Sequence, residues 1–406
     1  MSNYETYFLM KENEVAEYIK SKLDYFDKDA KLSVKEIGDG NLNYVFKVWD
    51  ENNKSIIVKQ AGGEARISAD IKLSTDRTRI ESEILILQDQ HAKGLVPKLF
   101  LYDNVMATCI MEDLSDHKIM RKALMDHEIF PEFAEHISTF MVETTLKTTD
   151  ICLDHKVKKA YVKSFINPEL CDISEDLVFT EPYNNMRNRN NVYEPIKDFV
   201  EKELYSDEKL HLEVAKCKFD FMNNAQALIH GDLHTGSIFI KENSTKVFDP
   251  EFAFFGPIGY DVGNVVANLI FAWNNGRAEI EDEAKEKEFT KWVESAIADT
   301  IDLFIEKFNI VFDENVTDPM AKTKGFKEWY IDSILRDTAS VAGLELIRRM
   351  VGLANVIDIT SIKDENKRVV ASKTCILVAK EFIFNRNSYK TGQSFVNAIH
   401  DVYDKF

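Results

Sequence analysis

Cysteine is scarce and unpaired in this sequence. Five stand alone at 109, 152, 171, 217 and 375, an odd number with no C-x-x-C pair. That pattern excludes a disulfide framework or a zinc knuckle as the organising device, and it fits a reducing cytoplasm. Basic charge is also short. Lys and Arg number 51 against 69 Asp and Glu, a formal net charge of −18. Such a surface neither displaces counterions from nucleic acid nor adheres to anionic lipid, so no nucleic-acid or membrane partner is expected. Long apolar runs are missing too. The most apolar stretch, Val265 to Trp273, contains Asn268 and falls far below the ~20 residues of a membrane span. The N-terminus M-S-N-Y-E-T-Y-F-L-M lacks a basic start followed by an apolar run, so no secretory leader is expected. No G-x-x-x-x-G-K-[ST] string occurs, which excludes the P-loop as the phosphate-binding device.

What remains is 406 residues of ordinary globular composition, 45% hydrophobic, enough for two lobes with real cores. Val15, Tyr18, Ile19, Leu23 and Phe26 recur at helical spacing within residues 1–30. Strand-like pieces follow at Lys31–Ile37, Tyr44–Trp49 and Ser55–Gln60, then a helix over 76–91 that Asp76 can cap, then strands near Lys98–Tyr102 and Met106–Met111. The pattern predicts an N-terminal, mostly antiparallel sheet with one helix. From about 118 onward the chain reads as helical, broken only by a strand-and-loop island between Leu228 and Tyr260. Residues 181–192, rich in Asn and Arg, read as an exposed loop. The change of pattern places a domain boundary at Glu112–Ser115, giving domains of 1–113 and 114–406.

The island carries the chemistry. It reads L-I-H-G-D-L-H-T-G-S-I-F-I and then K-V-F-D-P-E-F-A-F-F-G-P. Apolar strands flank the first string, so Asp232 sits on a turn, and Asp249 and Glu251 lie just past the return strand. A hairpin would bring the three carboxylates to one end of a sheet. Phosphoryl transfer needs one carboxylate to orient the attacking hydroxyl and others to hold Mg²⁺ against the triphosphate of ATP. Asp232 takes the first role, and Asp249 and Glu251 the second. Alone, H-x-D-x-H also reads as a metallohydrolase pair of His230 and His234, and D-x-E as a solvated loop. The whole string between apolar strands favours phosphotransfer. His230 anchors the loop, while His234 either lines the site or supports it. Asp261 is placed to orient the loop through backbone amides.

Upstream, Gly38, Gly40, Asn41 and Asn43 lie in a glycine turn between strands, where backbone amides can approach phosphates. Lys59 ends the strand S-I-I-V-K-Q, and in a two-lobed kinase it would reach the α- and β-phosphates, held by a helix glutamate. Glu81 and Glu83 compete for that part. They point about 200° apart on a helix, and the apolar face of Ile80, Ile84 and Leu87 selects Glu81. Met111, Glu112 and Leu114 follow the last strand and occupy the hinge that would read the adenine edge.

In chain order these features resemble the kinase-like superfamily of aminoglycoside, choline and methylthioribose kinases. The strings quoted above, extended to D-P-E-F-A-F-F-G-P-I-G-Y-D-V-G, look like those of the methylthioribose kinase family. So do N-P-E-L-C-D-I-S-E, E-L-I-R-R, L-V-P-K-L-F and I-M-E-D-L. The likeness covers roughly residues 35–370, both lobes. It implies an α+β, two-lobed, protein-kinase-like fold with a larger, mainly helical C-terminal lobe. It further implies MgATP-dependent phosphorylation of the 1-hydroxyl of 5-methylthioribose in methionine salvage, by a homodimer. The family's arginine pair grips the sugar, which implies Arg348 and Arg349 here. Which of them faces the substrate is left open, since helix neighbours point about 100° apart. Ser237 stands where the wider superfamily has a metal-binding Asn, which leaves Glu251 to take that part. The alternatives are another small-molecule hydroxyl kinase of the choline or aminoglycoside type, and a nucleotide-binding pseudokinase.

Overall fold

The computed structural model describes residues 4–37, 43–65, 68–72 and 74–406. The chain divides into two compact units. The first is Met1–His117 with Lys246–Phe252, and the second is Lys118–Thr245 with Ala253–Phe406. The sequence reading gave one boundary after residue 113; the first unit instead runs to His117 and takes in the later segment that carries Asp249 and Glu251.

The first unit is built on a five-stranded sheet in the order Ser33–Glu36, Asn43–Trp49, Ser55–Ala61, Thr108–Glu112, Leu99–Asp103, all antiparallel. Period-two alternation sorts the side chains. Phe46 lies opposite Val58, and Val58 opposite Ile110, so one face carries a continuous apolar row. The helix Glu12–Lys22 covers this row with Val15, Tyr18 and Ile19, all fully buried. Each such burial contributes about 1.5–3 kcal/mol. Gln60 shares that face without breaking it. It accepts from Met10 N at 3.0 Å and donates to the carbonyls of Phe8 and Met106 at 2.9 Å, which offsets the cost of burying an amide. Alternation therefore turns Lys59 to the other face, opposite Val45 and Cys109. There the helix Arg77–His91 presents Ile80, Glu81, Ile84 and Leu85 as its buried side. Asp76 does not cap this helix with its side chain. Its carboxylate is taken instead by Arg79, at 2.7 Å from Nε.

The second unit is mainly helical. Its long helices include Ile258–Glu279, Glu283–Asn315, Phe326–Val351 and Glu365–Phe384. Among the described residues no helix is long and apolar enough to cross a membrane. The first and third of these helices meet at backbone contact. A Cβ on Gly259 would stand 2.6 Å from the Ile334 carbonyl, and one on Gly263 would stand 2.6 Å from that of Thr338. Only glycine permits that approach.

The strand Ala227–Ile229 pairs antiparallel with Phe254–Gly256. It does not pair with Ile238–Lys241, which lies against Lys118–Ile119. The loop holding Asp232 is therefore not a simple hairpin turn. Residues 181–192 also differ from expectation. They open with the short helix Glu181–Asn184, whose Glu181, Pro182 and Tyr183 are buried. Arg189 Nε donates to the buried Glu181 carboxylate at 3.1 Å. Beyond that helix the segment is the expected loop, with Met186, Arg187 and Asn188 exposed.

Candidate active site

In the first unit, a lysine is surrounded by carboxylates. Lys59 Nζ donates to Glu81 at 2.9 Å and also contacts Asp249. Both Lys59 and Glu81 are buried, at 8% and 2% exposure. Glu83 turns away and pairs with Arg79 at 2.8 Å. Burial opposes the charge on Lys59, but Asp249, then Glu81 and Glu251, outweigh it and hold the ammonium well above its usual range. Burial pushes Glu81 up to about 7. Lys59 opposes that rise, and the charges of Asp249 and Glu251 add to it. Glu251 is likewise raised, first by burial, with Lys59 opposing and Asp249 adding.

Asp249 adopts a left-handed backbone, φ 65°, a conformation Asp tolerates better than most residues. Its carboxylate keeps 39% of its surface exposed. Glu251 is buried. Its Oε2 accepts from Asn43 Nδ2 at 2.8 Å and lies 3.5 Å from Arg77 Nε. Arg77 in turn donates to Asn43 Oδ1 and the Gly62 carbonyl, both at 3.0 Å. Asn43 thus serves as a strut to Glu251. Gly38, Gly40 and Asn41 lie outside the described residues. Met111 pairs with Ile57 and Leu99 in the sheet. The Glu112 carboxylate accepts from Lys98 N at 3.1 Å and Lys246 Nζ at 2.8 Å. Leu114 is buried, and its carbonyl accepts from His117 N at 2.9 Å.

In the second unit, Asp261 gathers the loop after strand Ala227–Ile229. Its carboxylate accepts from His230 N at 2.7 Å and Gly231 N at 3.0 Å. Gly231 turns the chain with φ 81°, and His230 Nδ1 accepts from Asp232 N at 3.2 Å. Three successive amides are fixed before the Asp232 side chain begins. That carboxylate, 31% exposed, lies 3.4 Å from His234 Nε2 and 3.8 Å from Arg348 Nη2. Burial, with Arg121 and Arg349 nearby, holds His234 well below its usual value, so its ring is neutral at pH 7. One tautomer then fits both contacts. Nε2–H points to Asp232, and Nδ1 accepts from Ser237 Oγ at 3.1 Å.

Arg348 and Arg349 do not divide between a site and a distant acid. Both bind Glu345. Arg349 Nε donates to it at 2.8 Å, and Arg348 Nε contacts its other oxygen. Long side chains overcome the 100° between neighbours because the acid sits one turn back, at i−3 and i−4. Glu345 is 1% exposed. Burial would raise it, but Arg348 and Arg349 outweigh that and hold it below the usual carboxylate range.

Sequence reasoning assigned no part to Glu345, although its spacing within E-L-I-R-R is the signal. It also passed over Arg121, which donates to Asn268 Oδ1 at 2.8 Å and lies 3.6 Å from Asp358. Nothing in the local sequence marks that residue. Among the described residues no group of three or more His, Cys, Asp or Glu is arranged to hold a metal alone, and His230 spends Nδ1 on a backbone amide. The geometry thus offers no support for the metallohydrolase reading.

Known proteins resemble the chain over most of its length. Residues 33–292 match the Phosphotransferase enzyme family. The chain is similar to methylthioribose kinase from Bacillus velezensis, 40% identical over 371 residues and 91% of each chain. It is equally similar to methylthioribose kinase from a Geobacillus species, 40% over 369 residues and 90% of each chain. Among solved structures it is similar to choline kinase from Cryptosporidium parvum at 12% identity and TM-score 0.47, over 97% of this chain and 96% of that one.

Proposed function

The chain belongs to the methylthioribose kinase family within the phosphotransferase enzymes, and from that premise we propose how its residues move the γ-phosphoryl group of ATP to the 1-hydroxyl of 5-methylthioribose. Asp232 orients the acceptor hydroxyl and takes its proton. The fixed amides of His230, Gly231 and Asp232 set its position, and His234 and Arg348 set the direction of its carboxylate. Lys59, held by Glu81, binds the α- and β-phosphates. Gly38, Gly40 and Asn41 belong to the phosphate-binding segment, Asn43 braces Glu251 from the start of the next strand, and Met111, Glu112 and Leu114 belong to the adenine-reading hinge. Arg348 and Arg349 grip the sugar.

The donor set near Lys59 fits a divalent cation. Glu81, Asp249 and Glu251 outnumber Lys59 and Arg77, and Asp249 is open. Magnesium commonly uses one or two carboxylates together with substrate phosphates rather than an all-protein cage. Asp249, with Glu251, would hold Mg²⁺, which would neutralise charge on the β- and γ-phosphates. Homodimer assembly and a cytoplasmic location belong to the same reading, and the acidic net charge of −18 supports the absence of a nucleic-acid partner.

The observation that carries the acceptor class is the charge around Asp232. Arg121, Arg348 and Arg349 face Asp232, Glu345 and Asp358, and His234 is neutral. A charge-balanced, guanidinium-rich surround suits a neutral polyol. It offers no excess negative charge to a quaternary ammonium or a polycationic aminoglycoside. The test is ADP release with MgATP and methylthioribose, ribose, choline or kanamycin. Methylthioribose should be preferred, and the Asp232→Ala variant should lose about 10²–10⁴-fold in kcat with the KM for ATP little changed. Turnover near wild type in that variant removes the base assignment. Preference for choline or kanamycin removes the acceptor.

A further inference from the structure

A cavity of about 430 Å³ opens within the second unit beside Arg349, lined by Tyr193, Glu194, Arg349, Asn355, Thr360 and Arg368 among others. Asp232, His234 and Arg348 are not part of its wall. Its volume is that of a small-molecule site. Two guanidinium groups face it. Arg349 is 9% exposed; the one carboxylate it bonds directly, Glu345, is shared with Arg348, and Asp358 acts on it only from further off. Arg368 stacks over Tyr193, 3.8 Å from the ring centroid. Its Nε is buried with no hydrogen-bond partner, and a buried donor left in that state is costly. The acid on the wall, Glu194, pairs with Lys197 at an exposed position. The wall therefore presents two guanidinium groups, an unsatisfied donor and the Thr360 hydroxyl, while the Asn355 amide is held by the Arg349 and Gly352 carbonyls. That donor set matches a tetrahedral dianion, for which guanidinium is the preferred partner.

We propose that this cavity is a second anion site, taking inorganic phosphate or the phosphate of a small monoester, and that it communicates with Asp232 through Arg349, Glu345 and Arg348. An anion on Arg349 draws its guanidinium from Glu345. The Glu345 carboxylate then falls wholly to Arg348 and pulls that side chain from Asp232, 3.8 Å away. Occupancy consequently lowers turnover without competing with ATP.

The experiment is calorimetry on the full chain with saturating MgADP, titrating inorganic phosphate in one arm and glycerol 3-phosphate in the other. Turnover is measured against the same additions. The comparison covers wild type, Arg368→Gln, Arg368→Lys and Asp232→Asn. Wild type should bind one anion, and the tighter of the two arms identifies its source. Arg368→Gln should weaken binding at least about tenfold, the typical worth of a charged hydrogen bond, with turnover in the absence of anion unchanged. Arg368→Lys should restore part of the affinity, which separates lost charge from lost folding, and Asp232→Asn should bind as wild type. No binding in wild type, with solvent alone filling the cavity, overturns the proposal. So does binding that survives Arg368→Gln but fails in Asp232→Asn, since the anion would then sit at the catalytic aspartate.

Discussion

Replacing Glu345 by Gln tests the arginine arrangement most directly. The substitution keeps the shape of the side chain and removes one charge. In the native protein that charge serves two buried guanidiniums, with side chains 14% and 10% exposed. Without it, the next acid to Arg348 is Asp232 at 3.8 Å, and Arg349 keeps the Ala354 carbonyl at 3.4 Å. Breaking a buried pair by removing one partner costs about 3–5 kcal/mol, because the other charge stays buried. The two pairs share one acid, so their costs do not simply add. At about 2.1 cal/mol/K per residue, unfolding 406 residues carries roughly 0.85 kcal/mol/K. The expected fall in Tm is therefore about 4–6 °C.

The pH dependence has a definite sign. Glu345 is held below the usual carboxylate range in the folded chain. Its stabilisation is thus present above the unfolded value, about pH 4.3, and is lost as pH falls through the lower folded value. The gap in Tm between wild type and Glu345→Gln should be widest at neutral pH and close below about pH 4. Turnover should fall as well, because a released Arg348 moves onto Asp232, and Glu345→Asp should recover part of it. Differential scanning calorimetry and ADP release measure both effects. A Tm within about 1 °C of wild type at pH 7, where the change is expected to be several degrees, would refute the claim that Glu345 holds both arginines.

Three further outcomes are expected. Lys59→Met should raise the KM for ATP at least about tenfold, the worth of one charged contact, read by initial rates; an unchanged KM removes the phosphate role. In nucleotide-free protein, Glu81 is raised to about 7 from its ordinary 4.5, so the fold keeps its proton where the unfolded chain has lost it. That contribution is full below about pH 4.5 and is lost as pH rises through about 7. Glu81→Gln should make this slope shallower in denaturant titrations, leaving the part due to other raised carboxylates such as Asp337, and a slope unchanged from wild type places the proton elsewhere. Gly263→Ala would set a Cβ 2.6 Å from the Thr338 carbonyl and 2.8 Å from Ala342 N. Backbone cannot yield cheaply, so a loss of about 1–3 kcal/mol is expected, partly offset by the better helix propensity of Ala. Stability at or above wild type would mean that the helices separate without cost.

Much of the first unit was legible because its strands alternate cleanly. Phe46 and Val48 against Val45 and Lys47 give both the strand and its faces, and the helical period around Ile80 and Ile84 singles out Glu81. The loop His230–Ser237 was legible because glycine, histidine and aspartate stand between apolar strands. What escaped the sequence is long-range. No local pattern says that Ile229 pairs with Phe254, that Asn43 braces Glu251, or that Arg121 approaches Asp358. Composition misled only at 181–184, where a short helix buries Glu181 beneath Arg187 and Arg189, whose side chains stay in part exposed. The arginine pair escaped for a different reason. Helix geometry separates the α-carbons of Arg348 and Arg349, but six-bond side chains converge on an acid one turn earlier.

The placement of Asp232 rests on one helix doing two things. Ile258–Glu279 carries Asp261, whose carboxylate fixes the amides of His230 and Gly231. On either side of Asp261, Gly259 and Gly263 bring the same helix to backbone contact with Phe326–Val351. That second helix carries Glu345 and Arg348. The amide anchor of Asp232 and the guanidinium beside it are thus tied through two glycine contacts between rigid helices, not through a loop. Catalysis by positioning is sensitive to shifts on the order of 1 Å, and the energy available from a fixed dipole falls when the dipole must reorganise. A bulkier residue at either glycine would move Arg348 relative to Asp232 while leaving both residues chemically intact. The G-Y-D-V-G string therefore combines, in five residues, the anchor of the Asp232 carboxylate and the spacing of its cationic neighbour.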